Sequence, residues 1–188
     1  YYAMRSVNST KYLVIQSYKL EYSDTKTLLE NLKNFEKIDE QDGFTIFKNK
    51  AYIPIGYSNS FYISDDEYEK IAKSNRDNML ARAVVLTDEQ IEKYGDILPE
   101  LEPDRYSDFN YDTFEKDAQE LAKTDVDTFT PTANGFKATS SFTEDRFVTF
   151  TVPWESGWSA TINGEKAEIE KVNRGVMGIK VPAGECNI

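Results

Sequence analysis

Apolar and polar positions change rhythm twice along this chain. Near its start, the run Tyr12-Leu13-Val14-Ile15 within Lys11–Ser17 predicts a short strand. The next stretch, "SDTKTLLENLKNF", places Leu28, Leu29, Leu32 and Phe35 at a weak helical spacing. From Phe35 to Ser58 the pattern reads strand, turn, strand, turn, strand. Asp42-Gly43 is a hairpin signal, because such pairs adopt the positive φ that a two-residue turn requires. Asn49-Lys50 marks a second reversal. Pro54 has no N–H to give a ladder, so the third strand is expected at an edge or bulged there.

The middle of the chain turns helical. "SDDE" (Ser64–Glu67) has the capping-box pattern, with Tyr68, Ile71 and Ala72 following at helical spacing. "TDEQ" (Thr87–Gln90) repeats the device, and Gly95 is the expected stop. "YDTFEKDAQELAK" offers Asp112 as a cap, with Phe114, Ala118 and Leu121 on one stripe. From about Thr128 the period becomes two. "GFKATSSF", "RFVTFTVP", "WSATING", "EKAEIEKV" and "VMGIKVPAG" are five short strand candidates, and Asn163-Gly164 is the strongest hairpin signal among them. Several short strands at this spacing suggest a β-sandwich. The expected fold is therefore α+β: a mixed α/β portion with short helices over residues 1–125, then an antiparallel β-sandwich over 126–188, resembling jelly-roll carbohydrate-binding modules.

Composition narrows the chemistry. The chain has 188 residues, 39% hydrophobic, with 12 Tyr and 11 Phe, enough to build a packed core. Its net charge of -11 argues against nucleic acid, whose phosphates need a basic face. There is no histidine, so no Ser-His or Cys-His dyad and no histidine metal site can form within the chain. Cys186 is the one cysteine, which rules out an intrachain disulfide and a thiolate zinc cluster. No apolar run approaches the ~18–20 residues that span a bilayer. The chain opens on Tyr1-Tyr2 and stops at "PAGECNI", an apparent strand just begun, so it reads as a piece of a longer protein. No cofactor is expected.

Several motifs carry a functional option beside a plainer one. Asp108, Asn110 and Asp112 fall at positions one, three and five of a calcium loop, but Thr113 stands where glycine is needed and Gln119 where a bidentate Glu is needed. A solvated, capped helix start is the simpler reading. Paired carboxylates such as Asp65/Asp66 and Glu100/Glu102 suggest glycosidase chemistry, yet with 33 acids no facing pair can be nominated. "NST" (Asn8–Thr10) matches a glycosylation acceptor by chance. Trp154 and Trp158 flank Gly157. An indole offers sugars a flat apolar partner. Trp158 begins a strand in which Ala160 and Ile162 share its face, so it is expected in the core. Trp154, in the loop "PWESG", keeps the option of ligand contact.

The segment "VPWESGWSATINGEKAEIEKVNRGVMGIKVPAGECNI" resembles the C-terminal signature of the YfhO family of bacterial membrane proteins. Val152, Pro153, Gly157, Trp158, Asn163, Gly164, Val172, Asn173, Gly175, Met177, Gly178, Ile179, Pro182, Ala183 and Gly184 match that pattern. Trp154 replaces the usual Tyr, Val176 the usual Phe, and Cys186 the common His or Asn. Upstream, "STKYLVIQS", "GFTIFKNKAYIPIGY" and "NMLARAVVLTDE" are similar to further family segments.

The resemblance implies a polytopic membrane protein similar to GT-C glycosyltransferases, taking a sugar from undecaprenyl phosphate outside the cell. In Gram-positive bacteria the acceptor would be lipoteichoic acid or another cell-envelope glycopolymer. The catalytic acid of such enzymes sits in an early outer loop that these residues do not contain. The chain is then expected to be a non-catalytic extracytoplasmic module at the cell membrane, next to the membrane-embedded part of the same protein. It would hold or orient the acceptor; alternatively it is purely architectural, docking or dimerising without glycan. Trp154, Tyr57, Tyr62 and Arg174 are the candidate glycan contacts, since aromatics and a cation suit a sugar-phosphate polymer.

Overall fold

The computed structural model describes residues 2–188. It begins with a short helix, α1 (Tyr2–Val7), followed by β1 (Tyr12–Gln16), α2 (Ser23–Asn31), β2 (Phe35–Gln41) and β3 (Phe44–Asn49). These strands form an antiparallel sheet in the order β1-β3-β2. The Asp42-Gly43 turn has φ of 52° and 79°, the doubly positive geometry its residue types favour. The expected reversal at Asn49-Lys50 is held by a buried amide network. Asn34 Nδ2 donates to Asn49 Oδ1 at 2.6 Å, and Asn49 Nδ2 donates to the Thr10 carbonyl at 2.9 Å. These bonds define the path of the chain, although the buried Asn34 Oδ1 is left without a partner.

Beyond this reversal the chain leaves the first sheet. The strand β4 (Gly56–Ser58) pairs with a strand far downstream, as described below. Next come β5 (Tyr62–Ser64), α3 (Asp65–Lys70), α4 (Arg76–Met79), β6 (Val84–Leu86), α5 (Asp88–Tyr94) and α6 (Tyr111–Leu121). Two expected caps form as their chemistry dictates. Ser64 accepts from the Glu67 N–H at 3.2 Å, though Glu67 pairs with Lys70 rather than reaching back, while Thr87 and Gln90 make the full reciprocal box. The third is corrected: Asn110, not Asp112, caps α6, accepting from the Thr113 N–H at 3.0 Å, and Asp112 lies in the first turn. There the acid faces the positive end of the helix dipole instead. The helix after Ser64 is also shorter than its spacing suggests, with Ile71 already extended.

β5 and β6 are parallel, with Val85 packed among Ile63, Tyr68 and Leu101 while Val84 and Leu86 pack among Tyr94, Leu98 and Phe147. Burial on both faces explains why this strand reads as an uninterrupted apolar run. A further cluster gathers Ala3, Val7, Ile53, Tyr57, Phe114, Ala118 and Leu121, so the α6 stripe covers α1.

The C-terminal half contains β7 (Thr128–Thr132), β8 (Gly135–Phe142), β9 (Arg146–Pro153), β10 (Ala160–Ile162), β11 (Glu165–Ala167), β12 (Glu170–Val172), β13 (Val176–Val181) and β14 (Gly184–Asn187). One sheet runs β12-β13-β9-β4 and a second runs β14-β8-β7. Val148, Phe150, Met177 and Ile179 from the first meet Ala138 and Cys186 from the second in one core. This is the expected sandwich-like packing of an α+β fold with many antiparallel strands. Burying one such side chain completely is worth about 1.5–3 kcal/mol. β9 is buried on both faces, because Phe147 turns away from the sandwich toward Tyr94, with ring centroids 4.7 Å apart. The two halves therefore share structure: β4, from the portion before residue 126, is an edge strand of the sandwich sheet. Pro54 lies just ahead of it, outside any ladder.

Candidate functional site

The β10–β11 hairpin stands over the second sheet and leaves a groove beside it. Asn163 and Gly164 adopt φ of 53° and 87°, so the expected two-residue turn forms. The hairpin is tied down by Asn163, whose N–H donates to the Asn187 carbonyl at 2.8 Å while its Oδ1 accepts from the Asn187 N–H at 2.8 Å. Between hairpin and sheet lies a cavity of about 470 Å³. Its apolar floor is made by Ala138, Met177 and Ile179, and its aromatic wall by Trp158 and Phe136. Thr128, Thr130, Ser159, Thr161 and Lys137 complete the lining; Thr128, Thr130 and Lys137 sit on the face of the sheet opposite Phe136 and Ala138, and so form the rim. No ion pair to Lys137 exists among the described residues.

Trp158 packs against the sandwich core as expected, but not as a strand residue. It precedes β10 rather than starting it, and it is half-buried. Its ring lies 6.0 Å from that of Phe136 and leans over the backbone of Gly135. One indole edge serves the core while the remainder lines the groove. Trp154, expected in an open loop, is also half-buried. Its N–H donates to the Gly175 carbonyl at 2.9 Å, and the Lys171 ammonium lies 5.8 Å from its ring centroid.

The other sequence candidates are occupied elsewhere. Tyr57 is 1% exposed within the cluster around Phe114, so its ring is out of a glycan's reach, and burial raises its phenol far above the usual value. Tyr62 packs beside the cluster around Phe147. Burial raises its phenol, and the Glu100 carboxylate adds to the effect. Arg174 is engaged in an ion-pair network: Nε donates to Asp65 at 2.7 Å, Nη2 donates to the same carboxylate at 2.9 Å, and Nη1 meets Glu69. Its guanidinium also lies 5.5 Å from the Tyr68 ring. None of the four candidates lines the groove at Trp158.

Sequence reasoning missed Phe136, Lys137 and the threonine rim. Alternation along β8 does mark Phe136 and Ala138 as sharing a face. What alternation cannot show is that Trp158 crosses from another hairpin to meet them.

An α+β module with a sandwich-like half and an aromatic groove is the class this geometry defines. Within it, residues 100–188 match the family described as "Bacterial membrane protein YfhO", the family that the signature resembles. No curated protein matches the chain, and no solved structure matches it. Among the described residues no helix is long and apolar enough to cross a membrane.

Proposed function

We propose that this chain is a non-catalytic extracytoplasmic module of a polytopic membrane glycosyltransferase of the GT-C type, and that it holds the acceptor. The acceptor would be lipoteichoic acid or another cell-envelope glycopolymer, glycosylated from an undecaprenyl-phosphate sugar. One observation carries this reading: a concave site walled by Trp158 and Phe136, with Ser159 and Thr161 in its lining and the threonines and Lys137 at its rim. Sugar C–H faces stack on indole, hydroxyls exchange hydrogen bonds with ring substituents, and an ammonium suits a phosphate. The family match of residues 100–188 supports the membrane context. A purely architectural module has no need of such a groove.

The test is an NMR titration of the chain with teichoic-acid fragments. Amide shifts are expected around Trp158, Phe136 and Lys137, with affinity about tenfold weaker in Trp158→Ala, a loss of ~1.4 kcal/mol. Silence at millimolar ligand removes the binding role and leaves the architectural one.

A further inference from the structure

The outer face of the three-stranded sheet is unusually apolar for a surface. Tyr12 is 50% exposed, Val14 57% and Phe44 42%. The register sets them together: Val14 pairs with Ile46 and Gln16 with Phe44, so Val14 and Phe44 are diagonal neighbours on one face. The patch continues past the strand end. Tyr18, 59% exposed, donates its hydroxyl to Gln16 Oε1 at 3.2 Å, and its ring meets Tyr22 edge-on at 6.1 Å. A contiguous exposed patch of this kind marks a contact surface.

Its chemistry resembles an interfacial belt more than a protein interface core. Three of the five rings and side chains are tyrosines, whose amphipathic rings settle at headgroup depth. Two lysines lie beside them: the Lys11 ammonium is 5.7 Å from the Tyr12 ring and that of Lys19 is 5.9 Å from the Tyr18 ring. Lysine stems in this position reach outward to lipid phosphates. Of the acids nearby, Glu36 and Asp39 stand on β2, the strand farthest from β1, and Glu21, next to Tyr22, is paired with Lys26 at 3.3 Å.

Charge supplies an orientation. Residues 1–50 hold eight Lys and Arg against seven Asp and Glu, whereas the whole chain stands at -11. The negative charge is therefore carried by the rest of the molecule, which an anionic bilayer repels, while the aromatic face is spared that repulsion. The bilayer is also the surface at hand for a chain carrying a bacterial membrane protein segment.

We propose that the face bearing Tyr12, Val14, Phe44, Tyr18 and Tyr22 rests on the headgroup layer of a lipid bilayer, holding the module at the membrane surface. This is independent of the glycan groove. The test is co-sedimentation of the chain with vesicles of equimolar phosphatidylcholine and phosphatidylglycerol, with size-exclusion light scattering in parallel. The chain should pellet with the vesicles. Tyr18→Glu/Tyr22→Glu, placed on an exposed turn where folding is unaffected, should reduce the bound fraction about tenfold. Tyr12→Ser/Val14→Ser/Phe44→Ser should do the same, and Trp158→Ala should bind vesicles normally. A chain that stays in the supernatant at saturating lipid, or variants that pellet like the parent, would overturn the proposal. Self-association abolished by the same substitutions, without vesicle binding, would assign the face to a second copy instead.

Discussion

Asn173 pairs with Val85 as though it were a strand residue. Its side-chain Oδ1 accepts from the Val85 N–H at 2.8 Å, and its own N–H donates to the Val85 carbonyl at 3.3 Å. Asn173 and Arg174 both have positive φ, 48° and 63°, and Gly175 closes the turn by donating to Val172 at 3.0 Å. The Val-Asn-X-Gly element of the family signature thus joins β6 to the sandwich. Asn173→Ala should cost about 2–3 kcal/mol, from an orphaned Val85 N–H and a strained left-handed alanine. Asn173→Gly should cost less, since only the hydrogen bond is lost. Urea unfolding of the three proteins measures the order.

Gly178 is fixed by an aromatic ring. A Cβ there would stand 2.5 Å from the Phe147 ring and 3.0 Å from Val172. Gly178→Ala should destabilise by about 2 kcal/mol through overpacking. Phe147→Leu in that background should recover part of the loss, giving a coupling energy in a double-mutant cycle. Additive costs would show that the ring can move aside.

Arg82 ties the loop before α6 to the strand layer. It is 9% exposed, with its Nε on Asp117 at 2.5 Å and its other nitrogens on the carbonyls of Arg105, Ser107 and Asp108. Arg82→Ala leaves the partly buried Asp117 carboxylate and three loop carbonyls without their donor, and should cost roughly 2–3 kcal/mol. Arg82→Lys should rescue little, because an ammonium cannot span that fork. Thermal unfolding reads both variants.

The Arg174 network should show itself in acid. Hydrogen bonds from Arg174 hold the carboxyls of Asp65 and Glu69 below their usual range, outweighing the effect of burial. A depressed folded value means that the stabilisation is complete above the unfolded carboxylate range, near pH 4, and is lost as pH falls through the folded values. Arg174→Ala should therefore lose stability near neutral pH and converge with the parent in acid. The exposed setting keeps the effect smaller than that of Asn173→Ala. Unfolding free energies measured from neutral pH down to pH 3 decide it; parallel curves would dismiss the linkage.

Local chemistry was legible wherever a turn or cap is decided by its own residues. Asp42-Gly43 and Asn163-Gly164 reverse the chain because these pairs reach positive φ cheaply, and Ser64 and Thr87 cap because a hydroxyl two or three residues ahead of a free N–H has nowhere better to bond. The runs Gly135–Phe142 and Arg146–Pro153 became β8 and β9 with the bounds their period-two pattern marks. The family signature was readable for the same reason, as a row of turn and contact residues in fixed order. Tertiary packing decided the rest. Nothing local tells Gly56–Ser58 to leave its hairpin neighbours for β9, since strand partners are chosen by which apolar faces need covering. Tyr57 looked like a ligand contact and became core, and Arg174 looked free until α3 brought Asp65 and Glu69 to it across more than a hundred residues. Trp158 became a groove wall because the β10–β11 hairpin carries it to Phe136. Turns and caps answer to neighbours along the chain, whereas exposure, ion pairing and concavity answer to neighbours in space.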